Sequence, residues 1–235
     1  MTVSGPDHQS RSLYRRVSLC FERFYACSGP DRKLDKLTPR LLQVVEIVTL
    51  GLLKSSVLQA RPSAGLSLLH FVQAASRLGV DGFYTCTQGG ETNRIADRAL
   101  FNRTIKSYDM FLYKEVAQLV RYNIMHICDY DGPYEDFALR FQDYPGQVVN
   151  VPLMADNTPL SLRRAADLFR RPVMGGLNRL GILSTGSPED AKKATLEALK
   201  DAPANVILGA DCTVSPKTPM ENLRMAIKTA HEYRV

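Results

Sequence analysis

Three residues with soft donor atoms follow short apolar runs. His126 and Cys128 end the run that begins at Asn123, and Cys212 follows the run Val206–Ala210. Because side chains two residues apart in a strand point to the same face, the imidazole and the first thiol can meet at one point. One imidazole and two thiols suit zinc, and three protein ligands leave the open fourth position of a catalytic site. We therefore predict a zinc site at His126, Cys128 and Cys212. The alternative is that both cysteines serve as small buried hydrophobes and that the histidine is simply hydrogen-bonded.

Four further residues are candidates for contact with a substrate. Asp211 precedes Cys212 and is predicted to be catalytic, either by orienting His126 or by binding substrate. Gln88 begins a Gln-Gly-Gly loop after a predicted strand, and we assign it to substrate binding, although an ordinary turn explains it equally well. Gly175 and Gly176 end another predicted strand, where glycine permits close approach of a ligand to the backbone. Tight packing of a helix on the strand would also select glycine.

The elements that must position these residues alternate regularly along the second part of the chain. Strands are predicted at Val80–Thr87, Asn123–Cys128, Val148–Met154, Pro172–Leu177 and Asn205–Ala210, with a further one at Ser56–Gln59. Helices are predicted at Leu34–Leu53, Leu66–Leu78, Asp109–Tyr122, Pro133–Phe141, Leu160–Phe169 (introduced by Thr158-Pro159), Pro188–Lys200 (capped by Ser187) and Pro219–Tyr233.

Five strand–helix units in succession predict a parallel sheet, which is either doubly wound or a (β/α)8 barrel. A doubly wound sheet would need a glycine-rich phosphate turn of the GxGxxG kind, and the chain has none. In a barrel the chemistry gathers at the carboxyl ends of strands, where Cys86, His126, Cys128 and Cys212 also fall. We therefore expect an α/β fold of TIM-barrel type that is incomplete, with about five of eight units.

The charge of the chain is unevenly distributed. Residues 1–64 hold ten basic and five acidic residues, whereas residues 65–235 hold twenty and nineteen, so the net charge of +6 comes mainly from the first segment. We predict a basic N-terminal segment, partly disordered with one helix, before a barrel portion at 65–235. A nearly neutral main body argues against a nucleic-acid partner.

The cysteine content and the apolar runs bear on the compartment. Five scattered cysteines suit a reducing compartment. The apolar run at 41–53 is too short to span a membrane, and the N-terminus lacks a secretory signal. We therefore expect a cytoplasmic protein without a membrane partner.

Several motifs together resemble one known family. The matching segments are His126-Ile127-Cys128, Pro172–Leu177, Gly186–Glu189, Leu208–Cys212 and Pro219–Leu223. They stand in the order and approximate spacing of the uroporphyrinogen decarboxylase superfamily, and the resemblance covers residues 66–235. It implies the last five strands of a (β/α)8 barrel. The superfamily includes tetrapyrrole decarboxylases and corrinoid-linked methyltransferases whose zinc activates a thiol.

The resemblance favours the methyltransferase branch. Those enzymes carry a His-x-Cys after one strand and a Cys after the last, as His126, Cys128 and Cys212 do. The decarboxylases have a histidine near the end of the last strand, which is absent from Gly209–Cys212, and their arginine-rich loop and catalytic aspartate are not recognisable in residues 1–65. The resemblance thus implies zinc-dependent methyl or alkyl transfer to a small thiol, with a corrinoid protein as methyl donor and a homodimer as one assembly. The alternatives are decarboxylation of a tetrapyrrole, or an inactive truncated fragment or binding subunit whose barrel a partner chain completes.

Overall fold

The computed structural model describes residues 44–48, 61–87, 92, 95–128, 130–200 and 202–233. The strands are β1 (Val44–Val48), β2 (Gly82–Thr87), β3 (Tyr122–Ile127), β4 (Val148–Asn150), β5 (Met154–Ala155), β6 (Thr158–Pro159), β7 (Val173–Leu177) and β8 (Val206–Ala210). The helices are α1 (Arg61–Arg77), α2 (Arg98–Phe101), α3 (Ser107–Leu119), α4 (Tyr134–Phe141), α5 (Leu162–Phe169), α6 (Ile182–Thr185), α7 (Pro188–Lys200) and α8 (Met220–Glu232), with a π-helical turn at Asn102–Lys106 between α2 and α3. No helix in these ranges is long and apolar enough to cross a membrane.

One parallel sheet organises the fold. Across the described ranges it has six strands in the order β1-β2-β3-β4-β7-β8, and β5 and β6 form a separate antiparallel ribbon. Each strand of the sheet pairs with the next one along the chain. A doubly wound sheet would reverse its order at a switch point, whereas a barrel is wound in one direction. The expected α/β fold, an incomplete barrel, is therefore confirmed.

The first strand corrects one prediction. The predicted helix at 34–53 is wrong at Val44–Val48, which is a strand paired in parallel with β2. Four of its five residues are β-branched, and such side chains favour the extended conformation over the helix. The remaining residues of that prediction, and the predicted strand at 56–59, lie outside the described ranges.

The predicted boundaries around β4 also change. The strand predicted at 148–154 ends at Asn150, and the chain then turns into the β5–β6 ribbon. Thr158 and Pro159 belong to that ribbon, so they do not introduce the next helix. Ser161 caps α5 instead, because its hydroxyl accepts the backbone N–H of Arg164.

Local signals located other helices well. α7 runs over Pro188–Lys200 as predicted, and Ser187 and Asp190 cap it reciprocally. The Asp190 carboxylate accepts the N–H and the hydroxyl of Ser187, and the Ser187 oxygen accepts the N–H of Asp190. α1 and α8 were likewise predicted within a few residues, except that α1 begins at Arg61 rather than Leu66.

The sheet has an inner and an outer face. A small cluster of Tyr84, Ile124, Val148, Met174 and Ile207 fills the inner face. Tyr84, Ile124 and Val148 are successive register partners, and so are Met174 and Ile207, which explains why the side chains in each set point the same way. The helices cover the outer face through a larger apolar core. Two residues beyond Tyr84 and Ile124, the inner face changes from apolar side chains to donor atoms.

Candidate metal centre at the carboxyl ends of the strands

β2 and β3 place a thiol beside an imidazole. Cys86 is the register partner of His126, two residues after the inward-facing pair Tyr84 and Ile124. Both side chains are buried, with exposures of 3% for Cys86 and 1% for His126. The Cys86 sulfur, a ring nitrogen of His126 and the Cys128 sulfur all lie within 4.8 Å of one another. The structure therefore contains a group of two thiols and one imidazole that could hold a metal ion.

Cys212 reaches the same group from the far side of the sheet. Its sulfur lies 3.2 Å from Nε2 of His126 and 3.7 Å from the sulfur of Cys128. In a flat sheet, three strand spacings would separate β3 from β8 by about 14 Å. The short distances show that the sheet curves as the wall of a barrel does, which brings the end of β8 over β3.

The spacing of these donors fits zinc. Tetrahedral zinc with bonds of about 2.3 Å to sulfur and about 2.05 Å to nitrogen holds two sulfurs about 3.8 Å apart and sulfur and nitrogen about 3.6 Å apart. The structure has 3.7 Å between Cys128 and Cys212 and 3.2 Å between Cys212 and His126. The three predicted ligands are thus nearly at the separations that a shared ion requires.

The His126 ring is held by an aromatic neighbour. The ring of Tyr84 stacks on it at 5.2 Å between centroids and 23° between planes. Nε2 of His126 faces Cys212, while Nδ1 is buried and has no hydrogen-bond partner among the described residues. A buried ring nitrogen without a partner is costly unless a ligand or water meets it.

Asn150 fixes the tyrosine in turn. It is fully buried and is the register partner of His126 on β4. Its side-chain oxygen accepts the Tyr84 hydroxyl at 2.5 Å, and its nitrogen donates to the carbonyls of Met174 and Ala210, each at 3.1 Å. One amide thereby ties β2, β7 and β8 to β4 directly beneath the donor group.

Without a cation, the centre favours neutral sulfur. The hydrogen bond with Cys128 and then burial raise the pKa of the Cys212 thiol to about 12, and His126 opposes this shift. The thiol is therefore protonated at neutral pH. A bound divalent cation inverts that preference, because a coordinated thiol is deprotonated.

Asp211 lies beside the centre but is occupied with a loop. Its carboxylate accepts the backbone N–H of Arg179 at 2.8 Å, and its own N–H bonds the carbonyl of Leu177. The observed contacts hold the loop after β7 to the end of β8. The predicted catalytic role of Asp211 remains a prediction, and Gln88 lies outside the described ranges.

Gly175 and Gly176 have packing contacts that explain their presence. Their φ angles are +149° and +100°, which L side chains rarely adopt. A Cβ on Gly176 would lie 3.1 Å from side-chain atoms of Ala198 and Leu162, and one on Gly175 would lie 3.2 Å from the carbonyl of Val151. Close helix packing, the second interpretation of these glycines, thus accounts for them. Their contact with a substrate remains a prediction.

A cleft of about 340 Å³ lies next to Gly176 on the helical side of β7. Leu160, Leu162, Ile182 and Ala198 contribute to its wall, and none of the four donor residues does. We assign the chemistry to the donor group, because the cleft wall is mostly apolar and contains neither a thiol nor an imidazole.

Sequence reasoning missed three residues of this centre. Cys86 was recognised at a strand end but not joined to the metal ligands, since only the β2–β3 register places it beside His126. Neither Tyr84 nor Asn150 was given a role in the predicted site. The available signal was the alternation of side chains along a strand, which turns these two side chains to the same inward face as Cys86 and His126.

Comparisons with known proteins bear on the family and the fold. The sequence model of the family described as Uroporphyrinogen decarboxylase (URO-D) matches residues 67–233. Among solved structures, a methyltransferase from Methanosarcina mazei is similar, with a TM-score of 0.61, 18% identity and coverage of 77% of this chain. That coverage is 51% of the methyltransferase, so the chain spans about half of its length. A search of curated proteins gave no match.

Proposed function

The chain belongs to the uroporphyrinogen decarboxylase family, and from this we propose that it binds one zinc ion through His126, Cys128 and Cys212 and transfers a methyl or other alkyl group to a thiol. The observation that carries the proposal is the position of the Cys212 sulfur, 3.2 Å from Nε2 of His126 and 3.7 Å from the Cys128 sulfur. Cys212 follows the edge strand β8, three strands away from the β3 strand that supplies the other two residues, and the separations are close to those around a tetrahedral zinc ion.

Each residue has a definable task in this proposal. Bound zinc lowers the pKa of a coordinated thiol, so that the thiol is a thiolate nucleophile at neutral pH. Tyr84 and Asn150 hold the His126 ring in place. Asp211 fixes the loop after β7 and is proposed to contact the substrate. In the transfer, a bond forms between the substrate sulfur and the alkyl carbon, and the bond from this carbon to the donor breaks with both electrons left on the donor.

The partners follow from the same chemistry. We propose a small-molecule thiol as acceptor and a corrinoid protein as methyl donor, since a methyl group on cobalt is a good electrophile for a thiolate. The backbone of Gly175 and Gly176 is proposed to lie along the substrate. A cytoplasmic location suits the reduced thiols that the site requires, and a homodimer is the proposed assembly.

Metal content tests the ligand set. The full chain should carry about one zinc ion, and the variants His126→Ala, Cys128→Ser and Cys212→Ser should each lose most of it. Cys20→Ser is the matched control, because it removes a thiol outside the described ranges and should leave the zinc content unchanged. Wild-type protein without zinc, with the same thermal stability in the presence and absence of a chelator, would refute the proposal.

Product formation tests the reaction. The zinc-loaded chain, given methylcobalamin and a panel of small thiols, should form methyl thioethers that mass spectrometry detects. Cys20→Ser should match the wild type, and Cys212→Ser should form none above the rate without protein. Zinc binding without any transfer, even with a full set of donors and thiols, would reject alkyl transfer and leave a metal-binding subunit.

Decarboxylation of a tetrapyrrole is the second candidate, and the family match over residues 67–233 is the observation that favours it. This reaction would not need the sulfur donors. Incubation with uroporphyrinogen, followed by chromatography of the oxidised porphyrins, should show products with fewer carboxylates. Their formation at equal rates by wild type and Cys212→Ser would establish this candidate over alkyl transfer.

A further inference from the structure

Cys86 is a buried thiol at the metal centre to which the proposed function gives no role. Its sulfur belongs to the mutual group with His126 and Cys128, all within 4.8 Å. It arrives there by register, because Cys86 pairs with His126 across β2 and β3 and its side chain follows that of Tyr84 on the inner face.

We propose that Cys86 is a fourth protein ligand, so that the resting centre is closed by three sulfurs and one nitrogen. The inference rests on the proposed zinc site. Closure requires the Cys86 sulfur to approach the Cys128 sulfur from at most 4.8 Å to the spacing of about 3.8 Å found between two sulfurs on one zinc ion, and to come equally close to the Cys212 sulfur. Rotation about its Cα–Cβ bond moves the sulfur by more than that difference.

In the structure the Cys86 thiol is hydrogen-bonded, donating to the carbonyl of the next residue, Thr87, at 3.5 Å. Coordination would replace this hydrogen bond by a bond from the thiolate to the ion. The alternative role of a small buried hydrophobe does not account for the imidazole nitrogen and the thiol that lie within 4.8 Å of the Cys86 sulfur. The buried Nδ1 of His126, which lacks a partner in the described part of the chain, is a further polar atom in the same place.

A fourth protein ligand changes access to the centre. Closed sites with four protein ligands are typical of structural zinc, whereas catalytic sites keep one position for water or substrate. A substrate thiol must therefore displace Cys86 before it can bind the ion. Without Cys86, the fourth position should be open to any small thiol.

X-ray absorption and cobalt substitution test the ligand count directly. Zinc in the wild-type chain should show three sulfurs and one nitrogen, and in Cys86→Ser two sulfurs. The sulfur-to-cobalt charge-transfer band of the cobalt protein should fall in the same proportion. Addition of 2-mercaptoethanol should restore the band in Cys86→Ser and leave the wild-type band unchanged. Cys20→Ser, the control, should match the wild type throughout.

The wild-type measurement decides the question even if Cys86→Ser does not fold. Two sulfurs on zinc in the wild type would overturn the role of Cys86 and leave the site of His126, Cys128 and Cys212 standing. A sulfur count that stays at three in a folded Cys86→Ser would also overturn it. A wild-type chain that binds no metal would overturn both this inference and the proposed function.

Discussion

Replacing Asn150 by Leu should destabilise the protein strongly, because its side chain makes three buried hydrogen bonds to three other strands. The variant keeps the number of side-chain heavy atoms but leaves the Tyr84 hydroxyl and the carbonyls of Met174 and Ala210 without this partner. A buried group left without its partner costs about 1–3 kcal/mol. The Met174 carbonyl loses least, since it also accepts the N–H of Val151. We therefore expect a loss of about 3 kcal/mol in the free energy of unfolding.

Asn123→Leu is the matched control. Asn123 is also a buried strand asparagine, but its side-chain oxygen and nitrogen have no hydrogen-bond partner among the described residues. Its replacement removes two unsatisfied atoms and should be neutral or stabilising. In urea unfolding followed by circular dichroism, a slope of about 2 kcal/mol per M would set the midpoints of the two variants about 1.5 M apart.

Tyr84→Phe sharpens the same experiment. Alone it should cost about 1 kcal/mol, since it removes one hydrogen bond, and in the Asn150→Leu background it should cost nothing or stabilise. Equal midpoints for Asn150→Leu and Asn123→Leu would refute the reasoning, as would a Tyr84→Phe cost that is the same in both backgrounds.

Three further predictions concern backbone, thiol and helix cap. Gly176→Ala should lower the free energy of unfolding by about 3 kcal/mol through backbone strain and crowding. Gly79→Ala should show the strain alone, about 1 kcal/mol, because its Cβ would have nothing within 4 Å. Equal losses for the two variants in urea unfolding would contradict the packing at Gly176. In metal-free protein, the rate at which iodoacetamide alkylates Cys212 should keep rising beyond pH 10, since the pKa of its thiol is raised to about 12. In denatured protein the rate should level off above the ordinary thiol pKa of about 8.5. Mass spectrometry of the Cys212 peptide measures the rate, and a plateau in the folded protein at the same pH as in the denatured protein would rule the prediction out. Ser187→Ala should cost about 1 kcal/mol in the free energy of unfolding at pH 7. The hydrogen bonds from Ser187 lower the pKa of the Asp190 carboxyl, so the stabilisation by the carboxylate exists above pH ~4 and is lost on acidification. A difference between variant and wild type that grows at low pH would disprove this prediction.

Local sequence signals predicted the helices better than the strands at the sheet edge. Ser187 and Pro188 specify a cap and a first turn within four residues, so the start of α7 needed no knowledge of the fold. The prediction of a helix at β1 was wrong because the apolar residues around this strand recur at helical spacing. The pairing with β2, which makes the segment extended, is a contact between residues far apart in the chain.

The donor group could be predicted only in part for the same reason. His126 and Cys128 lie on one face through local strand geometry, and Cys212 was joined to them by the expectation that strand ends meet. Cys86 required the register between β2 and β3, since a shift of one residue would turn its sulfur to the helices. The support that Tyr84 and Asn150 give each other depends on side chains crossing the inner face, which periodicity does not reveal.

The curvature that brings Cys212 to His126 also bears on how the chain folds. Every pairing in the described sheet joins neighbours along the chain, so these strands can assemble by successive small loop closures. The contact of the imidazole with the Cys212 thiol spans 86 residues and is of another kind. This contact completes the curved sheet between β3 and β8 after the intervening strands are in place. Because closing so long a loop is entropically costly, we expect the contact to form late in folding. The donor group would then form only when the curved sheet is complete. The time at which refolding protein first binds metal would therefore mark the last folding step of these strands.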